Sequence, residues 1–376
     1  MAVLNKRLVK LLVVTTVLAV IALIGSLLYA IFAPTQYQPD DNDLDSLFAS
    51  QSQKVFESAL PGKSVVLPAD FAMHPDYQHE WWHFFANVKD THGNEYGVQW
   101  NYFRIARDDL EHPGWDNSQL YFSHVVISTR DHVWREQRMA RGGIGLAGLN
   151  AKPFRMWIDN WSWSAKDENP FPGRLSVNTD SFALSLKMEQ TGQYVIPGEQ
   201  GYQAKHNLMP VASYNIQAPF IKVRGSLKLS NNMPPVAVEG TAWMSKEWGS
   251  GLLAEGQRGW DWFVLDLDQD TTLTVSRFRH NLQLPYVFGT LSTRNGRVIT
   301  LNESDVMITP LHMMSLANGK LVPLQWNISI PSQNINITTS VLNQHLWLPF
   351  ALPYWQGPIY SFGTHRAHGF MQLTGY

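Results

Sequence analysis

Cysteine is absent from all 376 residues. That excludes disulfides, thiolate metal centres, iron–sulfur clusters and a cysteine nucleophile. Charge is scarce as well: charged residues make up 16% of the chain, and its net charge is -2. No global basic field exists to gather a polyanion, so nucleic acid is not expected as a partner. There is no P-loop and no Gly-x-Ser-x-Gly elbow; Trp248-Gly-Ser-Gly251 has the wrong spacing for one. Beyond residue 64 no amphipathic helix of a dozen residues can be drawn. Aromatic residues are what the chain has in plenty, with 15 Trp, 13 Tyr and 18 Phe. Such side chains favour strands and the walls of apolar binding sites.

The one long apolar run is Leu11 to Ala33, 23 uncharged residues. As a helix it would span roughly 34 Å, enough for a bilayer core of ~30 Å. Lys6, Arg7 and Lys10 precede it, and Asp40, Asp41, Asp43 and Asp45 follow. The positive-inside bias therefore predicts a single-pass anchor in the inner membrane, with the main body on the periplasmic side. The competing reading is a cleaved signal peptide. Against it stand the length of the run, Pro34 directly after Ala33, and the lack of a small-x-small site at Tyr29-Ala30 or Phe32-Ala33. Residues 34–64, rich in Pro, Asp, Ser and Gln, read as a tether.

After residue 64, alternation of apolar and polar positions predicts strands at Tyr121 to Ile127, Arg155 to Trp161, Phe182 to Met188, Ile221 to Leu229, Trp262 to Leu267 and Thr272 to Phe278. Turn residues punctuate them at Asp90 to Gly93, Asn295-Gly296 and Asn318-Gly319. The pattern predicts an all-β body of sandwich or barrel type. The chain also repeats itself. Trp81 to Val88 matches Trp260 to Leu267, each is followed by Phe-Arg at 103–104 and 278–279, and then by Ser-Thr-Arg at 128–130 and 292–294. Three matches in the same order indicate duplication. Two β domains of like design follow, divided as 65–220 and 221–376.

Two motifs invite stronger readings than they support. His79-Glu-Trp-Trp-His83 fits H-E-x-x-H, which holds zinc when a helix puts both rings on one face. In a strand those positions stand roughly 13 Å apart, so no metal is expected there. Gly143 to Gly148 fits G-x-G-x-x-G, but Asn150-Ala-Lys-Pro-Phe follows it and ends any helix within a turn. It reads as a Gly-rich loop, and no cofactor is expected.

Several longer segments resemble one family. His74-Pro-Asp-Tyr with Glu80-Trp-Trp, Ala140 to Gly148, Pro153 to Trp161, Gly240 to Ser250, Gly259-Trp-Asp-Trp-Phe and Leu373-Thr-Gly-Tyr376 are similar to the AttH-like proteins. That group is labelled predicted secreted hydrolase and is related to carotenoid 1,2-hydratases. The resemblance covers roughly residues 65 to 376. It implies two tandem lipocalin-like antiparallel β-barrels, chemistry on an isoprenoid or lipid-like substrate, and association with an ABC-type export permease. The chain departs from the pattern at His83, where the family usually has Tyr, and at Ser245, where it usually has Asp. The His-rich segment of the carotenoid hydratases is not found around Met244 to Glu247.

Hydrating an isoprenoid double bond needs a proton donor, aromatic faces for the cation and a held water. A carboxyl in an apolar cavity supplies such a donor. Glu247 beside Trp248, Asp261 between Trp260 and Trp262, and Glu80 beside Trp81 and Trp82 fit that description. Glu247 and Asp261 lie 14 residues apart, a distance that a strand–loop–strand excursion at a barrel mouth can close. These three are the catalytic candidates. Trp81, Trp82, His83, Trp243, Trp248, Trp260, Trp262 and Tyr286 are the candidates for substrate contact. The plainer alternative makes the indoles core and the carboxylates structural anchors for Arg104, Arg258 or Arg279. His345 near Trp347, and Tyr354-Trp355 near His365 and His368, form a second polar–aromatic group. Two functions stay open. One is an acid–base enzyme of hydratase or hydrolase type, acting on a hydrophobic small molecule. The other is a non-catalytic lipid-binding accessory of an ABC-type exporter.

Overall fold

The computed structural model describes residues 56–107, 114–316 and 319–376. The proposed anchor at 11–33 and most of the proposed tether lie outside these residues. Among the described residues no helix is long and apolar enough to cross a membrane, and the helices are single 3₁₀ turns such as Ala69–Phe71.

The strands are antiparallel and form two sheets. The first uses β1 (His79–Asp90), β2 (Glu95–Ala106), β3 (Gln119–Ser128), β4 (Val133–Arg141), β5 (Ala147–Ala151), β6 (Phe154–Ile158), β7 (Trp161–Ala165), β8 (Gly173–Asn178), β9 (Ala183–Gln190), β10 (Tyr202–Ala204), β11 (Ala212–Lys228) and β12 (Val236–Gly249). Their spatial order is β4-β3-β2-β1-β12-β11-β9-β8-β7-β6-β5, with β10 on β11. The second sheet uses β13 (Gln257–Asp266), β14 (Thr271–His280), β15 (Tyr286–Thr293), β16 (Val298–Leu301), β17 (Met307–Ser315), β18 (Leu321–Ile330), β19 (Ile335–Val341), β20 (Trp347–Leu348), β21 (Tyr354–Gly363) and β22 (His368–Thr374). Its order is β16-β15-β14-β13-β22-β21-β19-β18-β17, with β20 on β21. In each sheet the first strand of the repeat lies between the second and the last, so the topology is duplicated along with the motifs.

Two expectations are corrected. The division at 220/221 falls inside β11, and β12 pairs with β1 over His79–Asp90, so the sheets part between Gly249 and Gln257. The single strand expected over Arg155 to Trp161 is a hairpin, because Asp159 takes φ 53° between β6 and β7. The long β11 bends where its register slips between Ala218 and Ile221, at Pro219, which has no N–H to give to a ladder.

Both sheets are barrel-like, one nearly closed and the other a half-barrel, and each curls around its own core. Trp82, Phe84, Trp100, Trp161 and Trp163 fill the first, and Phe263, Leu265, Trp326 and Trp355 sit in the second. In β1 the even-numbered residues point into that core. The odd-numbered Trp81, His83 and Phe85 point outward, where the second barrel covers them: Trp81 lies 6.5 Å from Trp260, His83 6.3 Å from Trp262, and Phe85 4.9 Å from Phe370. A strand covered on both faces reads as one apolar run, which is why Trp-Trp-His-Phe-Phe shows no alternation.

Candidate functional site at the seam between the barrels

Register sets a polar row across the outward face of the first sheet. Ser245 of β12 faces His83 of β1, His83 faces Asn101 of β2, and Asn101 faces His124 of β3. Aromatic rows flank it, with Trp81, Phe103 and Phe122 on one side and Trp243 and Phe85 on the other. The second barrel lays Tyr354 and Gln356 of β21 over the row. Asn101, His124 and Gln356 are fully buried and Tyr354 nearly so. Burying polar groups between aromatic layers is unfavourable unless they are bonded to one another, and here they are joined in one network that leaves, of its buried side-chain atoms, only His124 Nε2 and Gln356 Nε2 unpartnered.

The bonds fix the protons. Asn101 Nδ2 donates to Tyr354 Oη at 2.9 Å and to Gln356 Oε1 at 2.6 Å. Its Oδ1 is then an acceptor, so the 2.8 Å contact with His83 Nδ1 requires a proton on that nitrogen. A neutral His83 therefore keeps a lone pair on Nε2. Tyr354 Oη accepts from Asn101 and lies 2.7 Å from His124 Nδ1, the one acceptor placed to take the phenol proton, so the best-satisfied arrangement has the tyrosine donating there. His124 then carries its proton on Nε2, and that buried nitrogen has no hydrogen-bond partner. Burial keeps both rings neutral. It drives His124 down to about 3, with the neighbouring His83 adding to the effect. It also lowers His83, against the Asn101 bond and the Glu247 charge. The seam thus holds one imidazole as a base and a second as a donor, coupled through Asn101 and Tyr354. The Phe350 ring covers His124 at 4.3 Å.

The expected carboxylates lie around this row and not within one site. Glu247 faces Trp81 across β12 and β1. It is ion-paired with Lys205, whose ammonium lies 5.3 Å from the Trp81 ring, and it accepts from Asn215 Nδ2. Burial pushes its pKa up, but Lys205, with Ser213 and His83, brings it below the usual value. Asp261 points into the second barrel, opposite Arg277, which it meets at 2.6 Å; Arg279 lies 3.4 Å away and Tyr376 donates at 2.7 Å. Burial pushes this carboxyl up against the pull of the two guanidiniums. Glu80 points into the first barrel and meets Lys246 at 2.7 Å, Arg104 at 3.3 Å and His74 at 3.3 Å. Burial opposes its ionisation, yet Lys246, His74 and Arg104 hold it well below the usual carboxylate range. The structure does not join Glu247 to Asp261, since each has its own cations.

The expected contact residues divide in the same way. Trp81, His83, Trp243, Trp260 and Trp262 meet at the seam. Trp82 and Trp248 belong to the core of the first barrel, where Trp248 stacks on His74 at 4.1 Å. Tyr286 lies further along the second sheet, opposite Phe278. His79 and His83 both lie on β1, a strand, and Gly143 to Gly148 leads into the short β5. Sequence reading missed Asn101, His124 and Gln356. It grouped Tyr354 with His365 and His368, whereas the tyrosine bonds Asn101 and His124. The available signal was a polar residue whose neighbours two positions away are apolar or aromatic, as at Phe122-Ser-His124-Val-Val126.

The family model described as AttH-like matches residues 58–376. No curated protein matches the chain. Among solved structures, a candidate AttH from Nitrosomonas europaea is similar with TM-score 0.77 and 24% identity, over 85% of this chain and 99% of that one. Kievitone hydratase from Nectria haematococca is similar with TM-score 0.59 and 16% identity, over 85% of this chain and 98% of that one. At these identities the likenesses speak for the shared fold.

Proposed function

Because this chain belongs to the AttH-like family, we propose from its seam that it takes a hydrophobic, isoprenoid- or lipid-like molecule between its barrels and adds water to it. The reaction class is hydratase- or hydrolase-like. The body works outside the inner membrane, held there by the apolar run at 11–33 acting as an anchor. The observation that carries this reading is the pair of neutral imidazoles with opposite proton placement, buried among Trp81, Phe103 and Trp262. His83 Nε2 takes a proton from the attacking water and returns it to the carbanionic carbon or the leaving alkoxide, so that water is added whole. The donor on His124 Nε2 meets the negative charge that develops on the substrate. Trp81, Trp260, Trp262 and Trp243 hold the apolar body. This arrangement suits a polarised bond, such as a conjugated alkene or an ester. Direct protonation of a plain alkene needs an acidic carboxyl, and Glu80, Glu247 and Asp261 all have cationic partners. The hydratase among the structural relatives lends support by its name alone.

The same ion pairing favours the second reading, a carrier that passes an apolar ligand to an ABC-type permease without altering it. Incubation in oxygen-18 water separates the two. The full-length protein is given kievitone, p-nitrophenyl laurate and an apolar membrane extract, and products are read by mass spectrometry. The expected result is a product labelled by one water, with the rate falling roughly 10²–10⁴-fold in His83→Gln and the melting temperature unchanged. Ligand recovered intact and unlabelled supports the carrier. Turnover in His83→Gln equal to wild type refutes the role given to His83.

A further inference from the structure

A second cleft opens along the same seam, beyond the Phe85–Trp243–Phe370 cluster. It has a volume of about 1500 Å³, and six cationic side chains line it against three carboxylates, Glu95, Glu189 and Glu239. The cations are not scattered. Arg174 of β8 faces Lys187 of β9, and Lys187 faces Arg224 of β11. Three cations thus stand in one row across three neighbouring strands. Like charges directly opposite each other destabilise a sheet, and mixed signs are the usual remedy on an exposed face. The rest of the row obeys that rule, running on through Glu239, Lys89 and Glu95. Relief is confined to the Arg224 end of the three, where Glu239 stands opposite on β12. Arg224 reaches Glu189 only at 3.9 Å between two well-exposed side chains. Arg174 donates to Ser185 Oγ, a neutral partner. Lys187 makes no ion pair among the described residues. The opposite wall comes from the second barrel and differs in chemistry: Leu342, Pro358 and Tyr360 line it, with His368 exposed at its edge.

We propose that this cleft binds an amphiphile with a phosphate or carboxylate head, the head on Arg174, Lys187 and Arg224 and the apolar body along Leu342, Pro358 and Tyr360. An anion between the strands removes the repulsion that the row otherwise carries. Arginine forks on either side of a lysine suit a head with several oxygens. The apolar wall separates such a ligand from a free inorganic anion. The site is distinct from the His83 seam, because Phe85 and its partners stand between the two on β1.

The test is titration of the full-length protein with dodecyl phosphate below its micelle concentration, with inorganic phosphate and neutral dodecyl maltoside as controls. Dodecyl phosphate should bind and raise the melting temperature, with an affinity that falls as salt rises. Lys187→Glu should weaken that binding at least about tenfold, which is ~1.4 kcal/mol. The same substitution should raise the melting temperature of the free protein, because it breaks the row of like charges. Arg174→Gln should weaken binding in the same direction without reversing a charge. Equal binding of inorganic phosphate or of the neutral maltoside would overturn the amphiphile assignment. So would an affinity for dodecyl phosphate that neither substitution changes.

Discussion

Trp81 and Trp260 hold the same place in the two repeats, and they meet each other across the seam. Trp81 faces Phe103 in its sheet and Trp260 faces Phe278 in the other. The two indoles stack at 6.5 Å with 28° between their planes. The next residues, Arg104 and Arg279, are equivalent as well, yet their carboxylates are not. The partner of Arg104 is Glu80, one position before the tryptophan. The place of Glu80 is taken in the second repeat by Gly259, where a Cβ would stand 2.7 Å from Arg279 Nη2, and the carboxylate has moved to Asp261, one position after the tryptophan. Duplication kept the barrel and its internal arginine, while the two carboxylates diverged.

If that stacked pair helps to join the barrels, Trp81→Ala and Trp260→Ala will not act independently. Trp81→Ala should cost about 3–5 kcal/mol, as for other buried aromatics, and Trp260→Ala, at a half-buried ring, somewhat less. The double variant should cost less than the sum by about 0.5–1.5 kcal/mol. Denaturant unfolding of the three variants measures this, and strict additivity would show that the contact carries no energy of its own.

Glu80 should behave as an anchor. Its carboxylate is enclosed by Lys246, Arg104 and His74, so Glu80→Gln leaves two buried cations unpaired. A loss of about 3–5 kcal/mol is expected. The pH dependence has a definite sign. The folded carboxyl titrates well below its ordinary value, so its contribution is complete above about pH 4.3 and is lost as acid carries the protein down through the folded value. Wild type and Glu80→Gln should therefore converge in melting temperature as the pH falls. A gap that stays constant down to pH 2 would contradict the assignment.

How much of this could be read in the chain depended on whether one face or two were buried. Strands such as β9, buried on one face only, alternate and were legible; so were the turns at Gly93 and Gly296, which take φ of 84° and 88°. The resemblance supplied the barrel pair. The site was harder. Spacing along the chain cannot tell that Glu247 ends a strand of the first sheet while Asp261 lies in a strand of the second, pointing into its barrel. Nor can it tell that β12, beyond the expected boundary, joins β1 to β11 inside the first sheet. The polar row joins residues from Ser245, His83, Asn101 and His124 with Tyr354 from the other barrel, and no local pattern spans those separations. One link was visible in part. His83 and Ser245, the two positions at which the chain departs from the family pattern, face each other across β1 and β12.

The orientation proposed for the chain rests on the charge step around residues 11–33. Protease added to intact spheroplasts should digest the body and leave a short protected fragment containing Lys6, Arg7 and Lys10. Complete protection of the chain, or a mature N-terminus near Pro34, would exclude the uncleaved anchor.

Asp266 gives the last prediction, and its sign is opposite to that of Glu80. The residue ends β13, facing Thr272 on one side and His368 on the other. Burial pushes its carboxyl up to about 7, against a 3.4 Å bond from Thr272 Oγ1 and the more distant Arg294. In the unfolded chain the same group titrates near ~3.9. Below that value the group is protonated in both states and does not favour either. Between there and about 7 the unfolded chain has released its proton and the folded one has not. The folded state then binds more protons, so stability falls as pH rises, by up to about 1.4 kcal/mol per unit. Above the folded value the decline stops. Asp266→Asn has no proton to lose and should be flat over that window. The variant should therefore match wild type near pH 3.5 and melt at a progressively higher temperature than wild type towards pH 8. A difference that does not change with pH, or that grows towards acid, would show that Asp266 is ionised in the folded protein.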